Sequence, residues 1–129
     1  MTDLSKLKYT ETHEWARLEG NILTVGITDH AQKEISDVVF VDLPKAGLDA
    51  RAKKGIMVIE SVKAAFDIYA PMTGKIIKAN DKLKDGPEIV NKSPYEEGWL
   101  FQMECSHVKE WDLLLSKDQY ENVKTEAHH

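Results

Sequence analysis

Lys63 stands alone between two apolar runs that have the composition of β-strands. The runs IMVIESV (residues 56–62) and FDIYA (residues 66–70) are rich in β-branched and aromatic residues, and only three residues separate them. A tight hairpin normally turns on Asn-Gly, Asp-Gly or Gly-Gly, and none of these pairs lies between the runs. Because Ala64 and Ala65 are small, the pattern predicts a sterically open lysine on the tip of a rigid hairpin.

An exposed lysine of this kind is better suited to modification than to catalysis. A lysine amine has a pKa of ~10.4 in water and is therefore a poor nucleophile at neutral pH. We interpret Lys63 as the substrate of an enzyme that acylates it. The alternative is an ordinary surface lysine in a turn.

Other patterns for catalysis or metal binding are absent from the sequence. It contains no G-x-x-x-x-G-K-[ST], no G-x-G-x-x-G and no G-x-S-x-G motif. His13-Glu14 begins like the zinc motif H-E-x-x-H, but Arg17 stands where the second histidine is needed. Asp29, His30 and Glu34 could share a helix face, yet three ligands without a fourth are a weak metal argument. We therefore predict no metal site.

Composition and charge limit the classes of partner. The chain has 129 residues, 42% of them hydrophobic and 30% charged, which fits a single globular domain over residues 1–129. A net charge of −5 argues against nucleic acid or an anionic membrane surface, because both need a basic face. No apolar run approaches the ~20 residues of a membrane helix, and no signal or transit peptide is evident. Cys105 is the one cysteine, and we expect it to be buried in the core of a protein from a reducing compartment.

Local signals predict a mainly β chain with a few helices. Residues 14–18 and 22–27 form a hairpin around Gly20, and Thr28 starts a helix that runs through Glu34. Residues 38–43 (VVFVDL) form a well-buried strand.

The C-terminal part of the chain has helical spacing. Apolar residues at 108, 111, 114 and 115 predict a helix that packs Trp111 and the leucines into the core. Ser116 and Gln119 have the spacing of a capping box, which predicts a second helix through Val123. We therefore expect two helices over about residues 107–124.

A weak internal repeat indicates the architecture. Residues 41–47 and 68–74 each end a short strand in Pro-x-x-Gly, and each is followed by an apolar strand that opens with glycine, at Gly55 and Gly98. The second copy carries a long loop over residues 80–97, which we expect to be functional or ordered by its own packing. The copies are predicted to pack as two small sheets, with the tip of residues 62–65 at their junction.

The chain resembles the glycine cleavage system H proteins, a lipoyl-carrier family. The segments that carry the resemblance are ESVKA (60–64), HEW (13–15), VGITDHA (25–31), VVFVDLP (38–44), DIYAP (67–71) with Gly74, and NKSPYEEGW (91–99). A biotinyl domain would have methionine on both sides of the lysine, where Val62 and Ala64 stand here. The resemblance implies a lipoyl/biotinyl-like flattened barrel-sandwich of two small antiparallel sheets, with a short helix in the N-terminal half and two C-terminal helices.

The resemblance also implies a function for the chain as a carrier rather than an enzyme. Lipoate would be amide-linked to Lys63 by a lipoate ligase or lipoyltransferase. The carrier would take an aminomethyl group from glycine decarboxylase, which uses pyridoxal phosphate, to the tetrahydrofolate-dependent aminomethyltransferase. Dihydrolipoamide dehydrogenase, with FAD, would then reoxidise it. A monomer in the bacterial cytoplasm is expected, or in the mitochondrial matrix for a processed eukaryotic form.

Four further residues take candidate roles from the resemblance. Glu14 and Asp67 would lie near the carried amine, and Thr12 could assist them. Glu60 would aid ligase recognition or the hairpin structure. The alternative for Glu14 and Asp67 is that both are exposed acids at strand ends.

Two other functions remain open on the sequence. The chain could be an H-like protein that acts in lipoate transfer or in another lipoyl-dependent pathway. It could also be an unmodified interaction module in which Lys63 is inert.

Overall fold

The computed structural model describes residues 3–126, and His128 and His129 lie outside them. Its strands are β1 (Lys8–Tyr9), β2 (Glu14–Glu19), β3 (Ile22–Ile27), β4 (Val38–Asp42), β5 (Asp49–Ala50), β6 (Gly55–Ser61), β7 (Ala65–Tyr69), β8 (Gly74–Ala79) and β9 (Phe101–Cys105). Its α-helices are α1 (Asp29–Ile35), α2 (Lys82–Asp85), α3 (Ile89–Lys92) and α4 (Lys117–Glu126), and 3₁₀ helices cover Leu4–Lys6 and Val108–Leu113. None of the helices within residues 3–126 is long and apolar enough to cross a membrane.

The strands form two antiparallel sheets that enclose the core. Six strands follow the order β1-β2-β3-β9-β8-β5, and three follow the order β4-β6-β7. The main core cluster includes fully buried side chains from both sheets, among them Leu23, Val25, Ile59, Ile76, Phe101 and Met103. The predicted mainly β fold with two antiparallel sheets is therefore confirmed.

A second, smaller core joins the two ends of the chain. Tyr9 and Tyr120 stack with their ring centroids 4.9 Å apart, and Leu7 and Trp15 complete the cluster. Cys105 is buried in the main core as predicted, and burial raises the pKa of its thiol to about 11. Such a thiol is protonated at neutral pH and is therefore unreactive.

Local capping signals in the sequence correctly located two helix starts. Thr28 Oγ1 accepts a hydrogen bond from the N–H of Ala31 at the start of α1. Ser116 and Gln119 exchange hydrogen bonds between side chain and backbone, at 2.9 and 3.3 Å, so α4 begins with the predicted capping box. The predicted β2–β3 hairpin is also present, and Gly20 adopts the positive φ of 65° in its turn.

The hairpin predicted at the junction of the repeat, residues 62–65, is present between β6 and β7, but the predicted division of the copies into two sheets is wrong. The segments that follow the two Pro-x-x-Gly motifs pair with each other: β5 pairs with β8 through Asp49↔Lys75 and Ala50↔Gly74. However, the copies do not form separate sheets: β4 and β6 share a sheet with β7, while β5 joins β8 and β9. Gly98 also precedes its strand by three residues rather than opening it. Each sheet therefore combines strands from both copies.

The strand predicted over residues 38–43 is less buried than expected. It ends at Asp42, and only Val38 and Val41 face the core, while Val39 and Phe40 are about half exposed. The register shifts between Val38 and Phe40, which is typical of a bulge. The continuous apolar run therefore does not correspond to a strand that is covered on both faces.

The first of the predicted C-terminal helices is a 3₁₀ helix, and it ends at Leu113. Trp111 in this helix and Leu114, the extended residue that follows it, pack against the core, whereas Val108 is 46% exposed. Leu113 falls on the opposite side and is 80% exposed, so the prediction that all the leucines are core contacts was wrong. Leu115 instead pairs with Tyr9 in an isolated β-bridge.

The long loop over residues 80–97 is ordered by its own packing. It contains the single-turn helices α2 and α3, which bury Leu83 and Val90. The Asn80 amide donates to the carbonyls of Glu97 and Trp99, both at 2.8 Å, and so ties the two ends of the segment together.

Candidate functional site: a hairpin lysine and a carboxylate cleft

Lys63 lies on a turn that the hydroxyl of Ser61 forms. Ser61 Oγ accepts hydrogen bonds from the N–H groups of Lys63 (3.0 Å) and Ala64 (3.2 Å), and it donates to the Ala64 carbonyl at 3.2 Å. The Ser61 N–H donates to the same carbonyl at 2.9 Å. The turn therefore needs no glycine or asparagine, since a serine side chain can satisfy local backbone groups. The sequence reasoning missed Ser61 because it considered only residues 62–65.

The hairpin tip contacts the end of α1 and the residues after it, but its own residues remain exposed to solvent. The Val62 N–H donates to the Asp37 carbonyl at 3.0 Å, and Lys63 Nζ donates to the Glu34 carbonyl at 3.2 Å near the end of α1. A cation near a helix C-terminus is weakly favoured by the helix dipole. Residues 62–65 are all exposed, so the amine is accessible to a modifying enzyme.

Trp15 fixes the position of β2 and hence of Glu14. The Trp15 ring lies over Gly26, where a Cβ atom would come within 2.5 Å of Nε1. The Nε1–H donates to the Pro94 carbonyl at 2.8 Å. Only glycine at position 26 therefore leaves room for the Trp15 ring, which holds β2 in this position.

Glu14 is fully buried where the two sheets meet. Its Oε2 accepts the Tyr69 N–H at 3.1 Å, and its Oε1 accepts the hydroxyls of Thr10 and Thr12. Tyr69 ends the edge strand β7, so the carboxylate caps a backbone donor at that edge. The interpretation of Glu14 as an exposed strand-end acid was wrong. Thr10, which the sequence reasoning also missed, additionally accepts the Glu14 N–H at 3.0 Å.

Burial raises the pKa of Glu14 above its ordinary value of 4.5, and the hydrogen bonds from Thr10, Thr12 and the Tyr69 N–H offset part of that rise. These three donors are neutral. The backbone N–H of Glu14 itself also lowers the pKa, so four neutral groups in all stabilise the carboxylate. A cation close to Glu14 would favour the ionised form.

A cleft of about 280 Å³ lies beside this carboxylate. Its lining combines leucine and tyrosine side chains with the two threonine hydroxyls. The lining residues are Tyr9, Thr10, Glu11, Thr12, Glu14, Lys53, Tyr69, Ala70, Pro71, Leu113, Leu114 and Leu115. The cleft can therefore hold an aliphatic chain and place a polar group at Glu14.

The other two predicted acids lie on the hairpin and are exposed. Asp67 pairs with Val58 across the hairpin and stands two residues before Tyr69, on the same side of β7. Glu60 is at the other side of the tip, paired with Ala65. Thr12 and Glu14 are thus brought together at the cleft, whereas Asp67 is not among the cleft residues and Glu60 lies three residues before Lys63 on the hairpin.

Comparison with known proteins gives one consistent family. The model of the family described as "Glycine cleavage H-protein" matches residues 7–127. The glycine cleavage system H protein of Thermotoga maritima is 51% identical over 114 residues, covering 88% of this chain and 92% of that protein. The one of Photorhabdus laumondii is 52% identical over 123 residues, covering 95% of each. The crystal structure of a glycine cleavage system H protein from Mycobacterium marinum superposes with a TM-score of 0.83 and 31% identity, covering 92% of this chain and 95% of that one.

Proposed function

This chain belongs to the glycine cleavage H-protein family, and we propose that it acts as the lipoyl carrier of that system, with lipoate amide-linked to Lys63 Nζ. The family is one of carrier proteins rather than enzymes. The observation that carries the proposal is the position of Lys63, which is exposed on the tip of the β6–β7 hairpin inside the family motif.

The residues around Lys63 fit a lipoyl group. Lipoate supplies a dithiol–disulfide pair that can accept a carbon unit and be reoxidised. β7 begins two residues after Lys63 and runs to Tyr69 at the edge of the cleft, and its five residues span roughly 14 Å. Standard bond lengths give an extended lipoyl-lysine side chain a comparable reach of roughly 15 Å.

The cleft residues are suited to hold an amine away from water. Glu14 supplies a buried carboxylate beside the cleft, and Thr12 and Thr10 hold it in place. Asp67, exposed on β7 two residues before Tyr69, would add a negative charge on the hairpin side of the cleft. An arm bound against the leucines and tyrosines of the lining would limit the access of water to a labile amine and so protect it from side reactions.

The proposed role sets the partners. We propose that the protein, as a monomeric single domain, carries the aminomethyl group from glycine decarboxylase to the aminomethyltransferase and is reoxidised by dihydrolipoamide dehydrogenase. A lipoate ligase or lipoyltransferase would modify Lys63, with Glu60 beside the tip as a recognition residue. We place the carrier in the cytoplasm, where a reducing environment would keep Cys105 as a thiol.

Lipoylation is tested on the purified, unmodified protein. Incubation with lipoate, ATP and a lipoate ligase should add one lipoyl mass to the intact chain. Lys63→Arg should abolish the addition, while Lys45→Arg, which replaces another exposed lysine, should not change it. An adduct that persists in Lys63→Arg, or no adduct at all, would contradict the proposal.

The pathway is tested on the lipoylated protein with glycine decarboxylase. It should support exchange of the glycine carboxyl carbon with bicarbonate. Efficient lipoylation without exchange would instead support a role in lipoate transfer or in another lipoyl-dependent pathway.

The cleft is tested by Glu14→Gln and Asp67→Asn. Both variants should be lipoylated at the normal rate, but once loaded with the carbon unit they should release ammonia faster than the unaltered protein. Equal release rates would remove these residues from the protective site.

A further inference from the structure

Two histidines and a glutamate from separate segments of the chain meet next to the lysine-bearing hairpin. His30 and Glu34 lie one turn apart on α1, with Nε2 and Oε1 separated by 2.8 Å. His13 precedes β2, and its ring centroid is 4.7 Å from that of His30. One donor atom from each of the three side chains lies within 4.8 Å of the other two.

The backbone and a neighbouring tyrosine fix the position of His13. Its φ of 72° is in the left-handed region, which residues other than glycine adopt infrequently. Two hydrogen bonds hold this conformation: the His13 N–H donates to the Thr10 carbonyl at 3.1 Å, and the His13 carbonyl accepts the Thr28 N–H at 3.0 Å. Nδ1 of His13 is 2.8 Å from the Tyr120 hydroxyl. Ligating histidines are commonly held in this way through a hydrogen bond to their second nitrogen.

We propose that His13, His30 and Glu34 form a binding site for a divalent transition metal, with Zn²⁺ as the expected ion. Two imidazoles and one carboxylate are a ligand set of three-ligand zinc sites, in which water takes the fourth position. Two nitrogen ligands also favour zinc over calcium or magnesium, which prefer oxygen.

The required adjustment of the side chains is small. Zinc bonds of about 2.0–2.1 Å place tetrahedral ligand atoms about 3.3 Å apart, compared with separations of up to 4.8 Å here. The Glu34 side chain is 50% exposed and can turn toward an ion, while the His30 side chain is only 15% exposed and is held more firmly. The site also reaches the tip, because Lys63 Nζ donates to the Glu34 carbonyl.

His13 was not among the candidate ligands beside His30 and Glu34 in the sequence-based prediction of no metal site. That prediction grouped Asp29 with these two residues, but Asp29 pairs with Lys33 at 3.1 Å and accepts a hydrogen bond from Gln32. His13 takes that place only because the fold brings the start of β2 against α1.

The test is isothermal titration of Zn²⁺ into the full chain without lipoate. His128 and His129 could bind zinc themselves, so the background protein carries His128→Ala and His129→Ala. We expect one zinc per chain, and we expect His13→Gln, His30→Gln and Glu34→Gln each to weaken binding at least tenfold. His107→Gln, which replaces an exposed histidine outside the cluster, should leave the affinity unchanged. Co²⁺ in place of Zn²⁺ should give the intense visible bands of a four-coordinate ion.

Several results would overturn the proposal. One is the absence of saturable binding once the terminal histidines are replaced; another is binding that none of the three substitutions weakens. Glu34→Gln is the decisive variant because its half-exposed side chain is not needed for folding, and its melting temperature without zinc should match that of the background protein. Unchanged zinc affinity in that variant would show that His13, His30 and Glu34 are only a packing arrangement.

Discussion

Replacing Ser61 with alanine tests whether this side chain forms the turn that presents Lys63. The hydroxyl accepts the N–H groups of Lys63 and Ala64 and donates to the Ala64 carbonyl. Each hydrogen bond is worth about 0.5–1.5 kcal/mol, but backbone groups at an exposed tip regain water when the hydroxyl is lost. We therefore expect Ser61→Ala to lower the free energy of unfolding by about 1 kcal/mol, the typical cost of replacing a capping serine by alanine.

The same change should slow the modification of Lys63. If about 1 kcal/mol of local order is lost, the fraction of molecules with a correctly formed tip falls by up to about fivefold. The initial rate of lipoylation, measured by intact mass with a lipoate ligase at limiting carrier concentration, should fall by a similar factor. Ser61→Thr keeps the hydroxyl and should restore both the stability and the rate.

The control is Val62→Ala, which trims an exposed neighbour but leaves the turn hydrogen bonds in place. It should stay within about 0.5 kcal/mol of the unaltered protein, as surface substitutions usually do. If Ser61→Ala has an unchanged urea midpoint, the hydroxyl does not stabilise the turn. If its stability falls but lipoylation keeps its rate, the ligase does not need a preformed tip.

Three further predictions concern the scaffold and the buried carboxylate. A Cβ at Gly74 would lie 2.1 Å from a backbone oxygen of the neighbouring strand, so Gly74→Ala should lower the free energy of unfolding, measured in urea, by about 3 kcal/mol. At Gly55 the nearest atom to a Cβ would be 4.0 Å away, so the control Gly55→Ala should lower it by less than about 1 kcal/mol. Because burial raises the pKa of Glu14, the folded state binds a proton more tightly than the unfolded chain, and stability falls as pH rises above the ordinary value of 4.5. Urea unfolding from pH 4 to 8 should therefore show the unaltered protein losing stability relative to Glu14→Gln, and a constant difference would contradict the shifted pKa. Trp111→Ala should lower the free energy of unfolding by about 2–3 kcal/mol, because the ring packs on the core. Leu113→Ala, at an 80% exposed position, should change it by no more than about 0.5 kcal/mol in the same assay.

Features that depend on residues close in sequence were predicted well, and those that depend on distant contacts were not. The helix caps at Thr28 and Ser116 depend on only a few neighbouring residues, and the sequence predicted both correctly. The exposure of Val39 and Phe40 could not be read in this way, because the same apolar run suits a strand covered on one face or on both. Ser61 is the exception: its signal was local, and it was missed because serine is a weaker turn former than glycine or asparagine.

Glu14 could be identified as a candidate from the sequence, but its burial could not. That burial depends on the N–H of Tyr69, 55 residues further along the chain, at the edge of the other sheet. Capping such an edge does not require an acid, because a neutral amide or hydroxyl can accept the same N–H. In Glu14→Gln the amide could turn its oxygen to Tyr69 and its NH₂ to the hydroxyls of Thr10 and Thr12, which accept as well as donate.

An ionisable group at this buried position is therefore costly and structurally unnecessary. Burying a carboxylate among neutral donors is unfavourable unless a cation also binds there. The proposed carrier function supplies that cation as the amine of the carried group, which would approach Glu14 from the cleft. We therefore expect Glu14→Gln to fold at least as stably as the unaltered protein above neutral pH and still fail to protect its amine. A variant that lost stability and kept the amine would indicate that Glu14 serves the fold alone.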